Sequence, residues 1–383
     1  MLNFTAHNTT KIHFGKNQIS RLSKEVPKDA RILLAYGGGS IHKNGIYEQV
    51  KTALGDRFVI EFSGIEPNPK YKTVIEAVSV VKQNKLDFVL AVGGGSVIDG
   101  AKFIAAASLF EGEDHWDIFA KQARISQALP LGVVLTLPAT GSETNTTSVI
   151  TRGNHKLPFM SPLVRPAFAI LDPEVTYSLS KRQLGNGVVD AFVHTIEQYL
   201  TYPVNATITD RFAESILTTL IEEGPKVLEG EANYDNRANI MWSATQALNG
   251  LIACGVPQDW STHMIGHELT ALYDIDHART LSLILPAVMR VCRDTKREKL
   301  IQYAQRVWNL QDDNEDNLIE QAIVSTEDFF RTMGLPVRLS EVNLGAENFD
   351  EIILNLQKHG MTKLGEHGSL DIEKIRMVLS QAA

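Results

Sequence analysis

The chain has 383 residues, of which 44% are hydrophobic and 21% charged, values ordinary for a globular protein of about two domains. Its net charge of -8 argues against nucleic acid as a partner, because phosphate backbones are bound by basic surfaces. The longest apolar region, 88–110, is interrupted by glycines and charges, so we expect no membrane partner. Two cysteines without CxxC spacing and an N-terminus unlike a signal peptide favour a cytoplasmic protein.

The first half of the chain alternates short β-rich runs with helical ones. The apolar patterns predict strands at 30–36 and 56–65, a strand running into glycines at 87–96, a strand and turn at 132–143, a strand and stop at 168–173, and helices at 46–54, 72–84 and 97–109. Strands that alternate with helices form a mostly parallel sheet with right-handed crossovers. We therefore predict an α/β domain built on such a sheet.

Two glycine-rich segments of identical sequence, GGGS, each end a predicted strand. They are Gly37–Ser40 and Gly93–Ser96. A strand–loop–helix turn without side chains lets backbone N–H groups approach a phosphate, and the helix N-terminus adds positive potential. One such loop is weak evidence, since glycines also simply make tight turns. Two in one sheet indicate a dinucleotide site at the carboxyl ends of the strands.

The first of these loops bears on the choice of cofactor. An acidic residue after the relevant strand commonly binds a ribose 2′-OH and repels a 2′-phosphate. Gly38, Gly39 and Ser40 occupy this region, with His42 and Lys43 behind them, and no carboxylate is present. The loop therefore favours NADP(H) over NAD(H).

Three further features of the first half are candidates for ligand contact. Asp99 opens the helix after the second GGGS and either caps that helix or binds a ligand hydroxyl. The turn TLPATGSE (136–143) offers hydroxyls for a phosphate or an amide, although a Ser/Thr cap explains it equally well. Lys156 can neutralise a phosphate, but an exposed surface lysine is the more usual explanation.

The second half has long helical patterns and few strand-like runs. Helices are predicted at 182–200, 208–224, 237–253, 296–310 and 320–334. We therefore predict an α/β domain at 1–178 followed by an all-helical domain at 179–383.

Five residues of the predicted helical domain suit a divalent transition metal. Asp190 and His194 stand at i and i+4 in an apolar-periodic run, so both side chains project from one helix face. His263 and His267 repeat that spacing, and His277 follows. One carboxylate with two or three imidazoles forms a site for Zn²⁺ or Fe²⁺ that leaves room for a substrate oxygen. The plainer alternative is that these are core histidines satisfied by local hydrogen bonds.

Taken together, GGGSVIDGAKFIA, LPATGSE, NGVVDAFVHTIEQY and HMIGHELTALYDIDHA resemble the iron-containing (group III) alcohol dehydrogenase family over essentially the whole chain. The similarity is greatest to its NADPH-dependent aldehyde reductase and butanol dehydrogenase branch. The resemblance implies an N-terminal Rossmann-like parallel-sheet domain, an all-helical metal-binding domain and a homodimer. The implied activity is hydride transfer from NADPH to short-chain aldehydes, giving primary alcohols.

The resemblance also assigns roles to individual residues. Asp190, His194, His263 and His277 match the family's four ligands for one divalent ion, iron or zinc. His267 matches a histidine beside the metal, which either relays a proton or only orients the ligands. The residues that match cofactor-contacting positions are Gly38, Gly39, Ser40, Asn68, Gly94, Gly95, Ser96, Asp99, Thr136, Thr140 and Lys156. Trp260, Ile265 and Leu269 are candidates for the substrate pocket.

Other functions remain open at the level of sequence. An NAD-dependent, glycerol dehydrogenase-like polyol dehydrogenase or a dehydroquinate synthase shares the scaffold, although LPATGSE and HELTALYDIDHA argue against both. Metal-dependent hydrolysis leaves the two GGGS loops without a role. A non-catalytic nucleotide sensor does not explain the metal-ligand residues.

Overall fold

The computed structural model describes residues 1–383, which form two compact units. The sheet unit comprises residues 7–180 and 232–241, and the helical unit comprises 1–6, 181–231 and 242–383. The predicted division at 178/179 thus lies close to the main change of unit. It misses the two short segments that cross over, because their contacts are distant in sequence: the Leu2 N–H donates to the Gly255 carbonyl, and Met241 lies in the core of the sheet unit.

The sheet unit contains eight strands. They are β1 (Lys11–Phe14), β2 (Arg31–Tyr36), β3 (Phe58–Phe62), β4 (Phe88–Gly94), β5 (Leu131–Leu137), β6 (Thr147–Arg152), β7 (His155–Met160) and β8 (Phe168–Leu171). Six of them form a parallel sheet in the order β1-β8-β5-β4-β2-β3, and β6 and β7 form a separate antiparallel pair. The predicted parallel sheet is therefore confirmed.

Fifteen α-helices accompany the strands. Those before residue 180 are α1 (Leu22–Glu25), α2 (Ser40–Lys43), α3 (Ile46–Leu54), α4 (Tyr71–Asn84), α5 (Gly95–Ala107) and α6 (Asp117–Ala120). The later ones are α7 (Lys181–Tyr199), α8 (Thr207–Leu228), α9 (Tyr234–Ala247), α10 (Ser261–Tyr273), α11 (His277–Val291), α12 (Arg297–Arg306), α13 (Glu315–Thr332), α14 (Phe349–Lys358) and α15 (Ile372–Ala382). None of them combines the length and apolarity that a membrane crossing requires.

Consecutive apolar residues in the central strands show that both faces of the sheet are covered. Ile32, Leu33, Leu34 and Ala35 of β2 all have no exposed surface, although successive side chains point to opposite faces. Such unbroken apolar runs are typical of parallel sheets packed on both sides. The same pattern made these strands predictable from sequence.

The strand order reverses between β2 and β4. From β2 the chain moves outward to β3, and it then returns to the other side of β2 to form β4 and β5. Neighbouring crossovers that leave in opposite directions create a crevice beyond the carboxyl ends of the two strands, where open α/β sheets bind ligands. Both GGGS segments follow these two strands, so the fold places them at this crevice.

The antiparallel pair β6–β7 is an element that the sequence pattern did not predict. Its turn contains Gly153 with φ of 59°, and β7 contains Pro158, which weakens the strand signal. The pair adjoins the segment after β3, since the Thr151 N–H donates to the Pro69 carbonyl over 2.9 Å. It thereby brings Lys156 into the sheet unit's interior.

Helix α11 lies at the centre of the helical unit and was not predicted from the sequence pattern. All residues from 280 to 289 are buried, including Pro286. A proline inside a run usually marks the point where a helix ends or kinks, so Pro286 obscures this helix in the sequence. His277 stands at the start of this largely buried helix.

Candidate functional site

The second glycine segment forms a direct junction between strand and helix. Strand β4 continues to Gly94, and α5 begins at Gly95. A Cβ atom on Gly95 would lie 2.5 Å from the side chain of Thr140, so only glycine fits against this threonine. The structure thus brings three predicted cofactor positions, Gly94, Gly95 and Thr140, together at the start of a 13-residue helix.

Asp99 does not cap α5, because the helix begins four positions earlier at Gly95. Its carboxylate instead accepts hydrogen bonds from Ser142 Oγ over 2.5 Å and from the Val149 N–H over 3.0 Å. Burial raises the pKa of Asp99, against the opposing charge of Lys102. Asp99 therefore fixes the TLPATGSE turn and β6 against α5.

Lys102 is fully buried beside this carboxylate and was not identified from sequence. Its Nζ donates to Ser142 Oγ, Asn145 Oδ1 and the Thr147 carbonyl, each over 2.8 Å. Burial lowers the pKa of Lys102 to about 8, although Asp99 opposes the shift. Three oxygen acceptors therefore satisfy the ammonium group without a directly bonded carboxylate.

Lys156 and Asn68 are also brought together. The Lys156 Nζ donates to Asn68 Oδ1 over 2.9 Å, and only 5% of Lys156 is exposed. The alternative of an ordinary surface lysine is therefore wrong. Asn68 adopts φ of 53°, a left-handed conformation that asparagine tolerates better than most residues. Contact of either residue with a cofactor stays a prediction.

The remaining predicted cofactor residues lie where strands end. Gly38 and Ser40 are exposed in the segment after β2, and Gly39 has φ of 86° at the N-terminus of α2. Ser96 is half-buried in the first turn of α5, and Thr136 is half-buried near the end of β5. Because β4 and β5 are paired neighbours, these residues share one edge of the sheet.

In the helical unit, three predicted metal ligands converge. One ligand atom from each of Asp190, His263 and His277 lies within 4.8 Å of the others. Asp190 Oδ1 is 3.7 Å from His277 Nε2. Asp190 lies on α7, His263 on α10 and His277 at the start of α11, so three helices each supply one group.

His194, the fourth predicted ligand, lies at the edge of this group. Its Nδ1 is 3.7 Å from Asp190 Oδ1, and its ring stacks on His263 with centroids 4.6 Å apart. It is not among the three whose atoms all lie within 4.8 Å. Burial lowers the pKa of His194 to about 4, against the opposing charge of Asp190, so its ring is neutral at neutral pH.

His267 also adjoins the group. Its ring centroid is 5.3 Å from that of His277 and 6.3 Å from that of His263. It lies one turn after His263 on the same face of α10 and outside the three converging ligand atoms. This arrangement is compatible with a role beside a metal, and that role stays a prediction.

Two of the three candidate pocket residues are core residues instead. Ile265 and Leu269 have no exposed surface and pack in a cluster with Phe349 and Ile352. They lie two positions after His263 and His267, which turns them to the opposite face of α10. Trp260 is different, since its ring meets those of His263 and His194 edge-on at 5.3 and 6.2 Å.

Glu197 is the principal residue that the sequence reading missed. It stands on α7, is 3% exposed and hydrogen-bonds His263 Nδ1 through Oε2. Its Oε1 accepts the Thr262 N–H over 2.6 Å. Burial raises the pKa of Glu197 well above its usual value. The signal was present, because Asp190, His194 and Glu197 at i, i+4 and i+7 lie on one face of the same helix.

Behind Glu197 lies a buried ionic cluster centred on Lys296. Its Nζ donates to Asp259 Oδ2 and Glu366 Oε2 over 2.7 Å each, and to the Leu200 carbonyl over 2.6 Å. Although burial favours the neutral amine, Asp259 and Glu366 raise the pKa of Lys296. Asp259 also accepts the Ser261 N–H over 2.7 Å, so the cluster holds the first residue of α10.

The chemistry of these donors fits a divalent transition metal. A carboxylate and imidazoles from three helices are the mixed oxygen and nitrogen set that Zn²⁺ and Fe²⁺ prefer. His194 Nδ1 is buried without a hydrogen-bond partner, which is costly unless another group engages it. The carboxylate–histidine pair of Glu197 and His263 is a recurrent support of metal-binding histidines.

Comparison with known sequences gives consistent matches over the whole chain. The profile "Iron-containing alcohol dehydrogenase" matches residues 9–173, and "Fe-containing alcohol dehydrogenase family, C-terminal" matches residues 186–382. The NADPH-dependent aldehyde reductase YqhD of Escherichia coli is 53% identical over the full length of both chains. A probable NADH-dependent butanol dehydrogenase of Bacillus subtilis is 40% identical over 99% of each chain.

Solved structures agree with these sequence matches. The crystal structure of Escherichia coli YqhD superposes with a TM-score of 0.98 at 53% identity, covering 100% of this chain and 99% of the other. The NADH-dependent butanol dehydrogenase A of Thermotoga maritima gives a TM-score of 0.96 at 37% identity, with the same coverage.

Proposed function

The chain belongs to the iron-containing alcohol dehydrogenase family, and from that premise we propose that it is a metal-dependent, NADP(H)-dependent aldehyde reductase. Its reaction is hydride transfer from NADPH to short-chain aldehydes, which gives primary alcohols. The single observation that carries the proposal is the convergence of Asp190, His263 and His277 from three helices. The glycine segments at the point where the strand order reverses would bind the cofactor, and the three converging residues would bind the metal.

Residues of the helical unit would hold the metal ion, and residues of the sheet unit would bind the cofactor. A bound divalent ion supplies the Lewis acidity that polarises a carbonyl, and NADPH supplies the hydride. Asp190, His194, His263 and His277 would hold that ion. The backbone at Gly94 and Gly95 would bind phosphate, with Lys156 and Asn68 contributing a charge and an amide nearby. His267, whose ring lies 5.3 Å from that of His277, would either pass a proton to the product oxygen through water or only orient the ligands.

Preference for NADPH follows from the segment after β2. The relative YqhD is NADPH-dependent and the Bacillus relative NADH-dependent by name, so similarity alone favours the former through its higher identity. Gly39 presents no carboxylate to a 2′-phosphate. The nearby carboxylate of Glu61 is engaged by the hydroxyls of Tyr36 and Tyr47, over 3.0 and 2.6 Å.

Substitution of Gly39 tests the cofactor preference. We expect Gly39→Asp to lower kcat/KM for NADPH relative to NADH by at least about tenfold, because a carboxylate repels a 2′-phosphate. Gly39→Asn is the matched control, since it carries the same left-handed backbone requirement without the charge. An unchanged NADPH/NADH ratio in Gly39→Asp contradicts this interpretation of the loop.

The decisive assay of function is oxidation of NADPH and NADH with butanal by the purified protein. It is run as isolated, after chelation, and after addition of Zn²⁺ or Fe²⁺. We expect oxidation of NADPH in preference to NADH that chelation abolishes and one of the two ions restores. That ion identifies the active metal. Turnover that survives complete removal of metal contradicts the proposal.

We further propose iron or zinc as the metal, a homodimer as the assembly and the cytoplasm as the location. The family resemblance supports the first two, and the two free cysteines, Cys254 and Cys292, are compatible with a reducing compartment. The alternative of an NAD-dependent polyol dehydrogenase is disfavoured by the aldehyde reductase relative. Glycerol oxidation with NAD in the same assay separates the two.

A further inference from the structure

We infer that Glu197 is a positioning residue for the metal site: it fixes the ring orientation and tautomer of His263. The inference rests on the proposed function, because it takes His263 to be a metal ligand. It adds a residue outside the proposed ligand set and assigns it a measurable contribution to metal affinity.

The position of Glu197 allows it to orient the ring of His263. It projects from α7, the helix of Asp190 and His194, and hydrogen-bonds His263 on α10. Since Glu197 engages Nδ1, the nitrogen of His263 that remains for a metal is Nε2. A carboxylate that accepts the Nδ1–H also keeps the lone pair on Nε2, which is the form that coordinates.

Both oxygens of Glu197 are committed to the same short segment. Oε1 accepts the backbone N–H of Thr262, and Oε2 engages the ring of His263. The Glu197 carbonyl in turn accepts the Asp259 N–H over 2.9 Å. One residue of α7 therefore aligns the backbone and the side chain at the start of α10.

The ionic cluster behind Glu197 completes the arrangement. Asp259 is held by Lys296, and Lys296 by Glu366 and the Leu200 carbonyl. Because Lys296 is occupied by Asp259 and Glu366, it makes no direct bond to Glu197. The Glu197 carboxylate thus remains available as the acceptor for His263.

Glu197→Gln tests the inference without changing side-chain size. The two donors approach different oxygens of Glu197, and in glutamine one of these becomes an NH₂ donor, so the Thr262 N–H or the His263 Nδ1–H loses its acceptor. Zn²⁺ affinity of the metal-free, full-length protein is measured by competition with a chromogenic chelator. We expect a loss of ~10–100-fold in Zn²⁺ affinity, with little change in the melting temperature of the metal-free protein.

Glu268→Gln is the matched control. Glu268 is an equally buried carboxylate on α10 that binds a histidine, but its partners are His359, at 2.8 Å, and Asn355, and neither is a proposed ligand. We expect this variant to keep wild-type Zn²⁺ affinity. The absorption spectrum of Co²⁺-loaded protein supplies a second readout, because it reports ligand geometry and not general stability.

The outcomes separate the inference from the proposed function. Wild-type Zn²⁺ affinity in Glu197→Gln, or an equal loss in Glu268→Gln, overturns the positioning role. If wild-type protein takes up no metal, or His263→Ala retains full affinity, the metal site itself is refuted. If Glu197→Gln does not fold, Glu197→Asp is used, for which we expect a smaller loss of affinity and an altered Co²⁺ spectrum. An unaltered affinity and spectrum in Glu197→Asp overturns the role equally.

Discussion

Lys102 in the sheet unit and Lys296 in the helical unit are both buried near a candidate site, and the two lysines are stabilised in opposite ways. Lys102 in the sheet unit bonds a hydroxyl, an amide and a carbonyl, whereas Lys296 in the helical unit bonds two carboxylates and a carbonyl. Burial lowers the pKa of Lys102 to about 8, whereas Asp259 and Glu366 outweigh burial and raise the pKa of Lys296.

The difference shows that burial alone does not determine the charge of a lysine. A directly bonded carboxylate compensates for lost hydration, whereas neutral oxygens compensate only in part. In the helical unit Lys296 keeps its charge and, through Asp259, holds the start of α10. In the sheet unit Lys102 loses its charge within the range of ordinary buffers, so the contacts between α5 and the TLPATGSE turn depend on pH.

The largest loss of unfolding free energy is expected on removal of Lys296, whose charge is paired with two buried carboxylates. Lys296→Met leaves Asp259 and Glu366 buried without a cation, which costs about 3–5 kcal/mol of unfolding free energy. Urea denaturation of the metal-free protein measures this. Lys121→Met is the control, because its exposed i,i+4 pair with Asp117 contributes at most about 1 kcal/mol. Equal losses of unfolding free energy in Lys296→Met and Lys121→Met would contradict a larger stabilising contribution from the buried lysine.

A smaller effect is expected from the pH dependence of Lys102. Its folded pKa of about 8 lies below the usual 10.5, so between these values the unfolded chain binds more protons than the folded protein. The unfolding free energy of wild type should therefore rise with pH relative to Lys102→Met, by about 2–3 kcal/mol between pH 8 and pH 10. A difference that stays constant over this range contradicts the lowered pKa.

The smallest effect is expected when the surroundings of Lys102 are made more like those of Lys296. Asn145→Asp replaces a neutral acceptor of Lys102 by a carboxylate, as in the surroundings of Lys296. We expect the pKa of Lys102 to rise by at least about one unit, equivalent to about 1.4 kcal/mol, which moves the pH-dependent range of stability upwards. Asn145→Ala, which removes the acceptor without adding charge, should not raise this pKa. The same unfolding series over pH provides both measurements.

Much of the sheet unit could be predicted because its strands are buried on both faces. Consecutive apolar residues such as those of β2 leave little ambiguity, and the helix at Ile46–Leu54 has the predicted ends. Strand β5 ends at Leu137, inside the segment predicted as a strand and turn, because Pro138 cannot continue the ladder. Helix α11 was missed because Pro286 lies inside it, and a proline normally indicates the end of a helix.

Within the candidate site, the residue types at helical spacing could be predicted from the sequence. The residues that hold them in position were not predicted. Asp190 and His263 could be predicted because each stands four residues before a histidine on a helix, a spacing visible in sequence. Glu197 extends such a pattern and could have been found. Lys296 and Glu366 could not, because 70 residues separate them and only the tertiary fold brings their charges together.

The chain's first residues have a consequence for how the protein is made. Leu2 bonds Gly255, so the N-terminus is part of the unit that is otherwise synthesised last. On the ribosome, the sheet-forming residues can fold while the segment that precedes them must wait for more than half of the chain to emerge. An affinity tag fused before Met1 is therefore attached to the helical unit that carries the histidines, just as a tag after Ala383 would be.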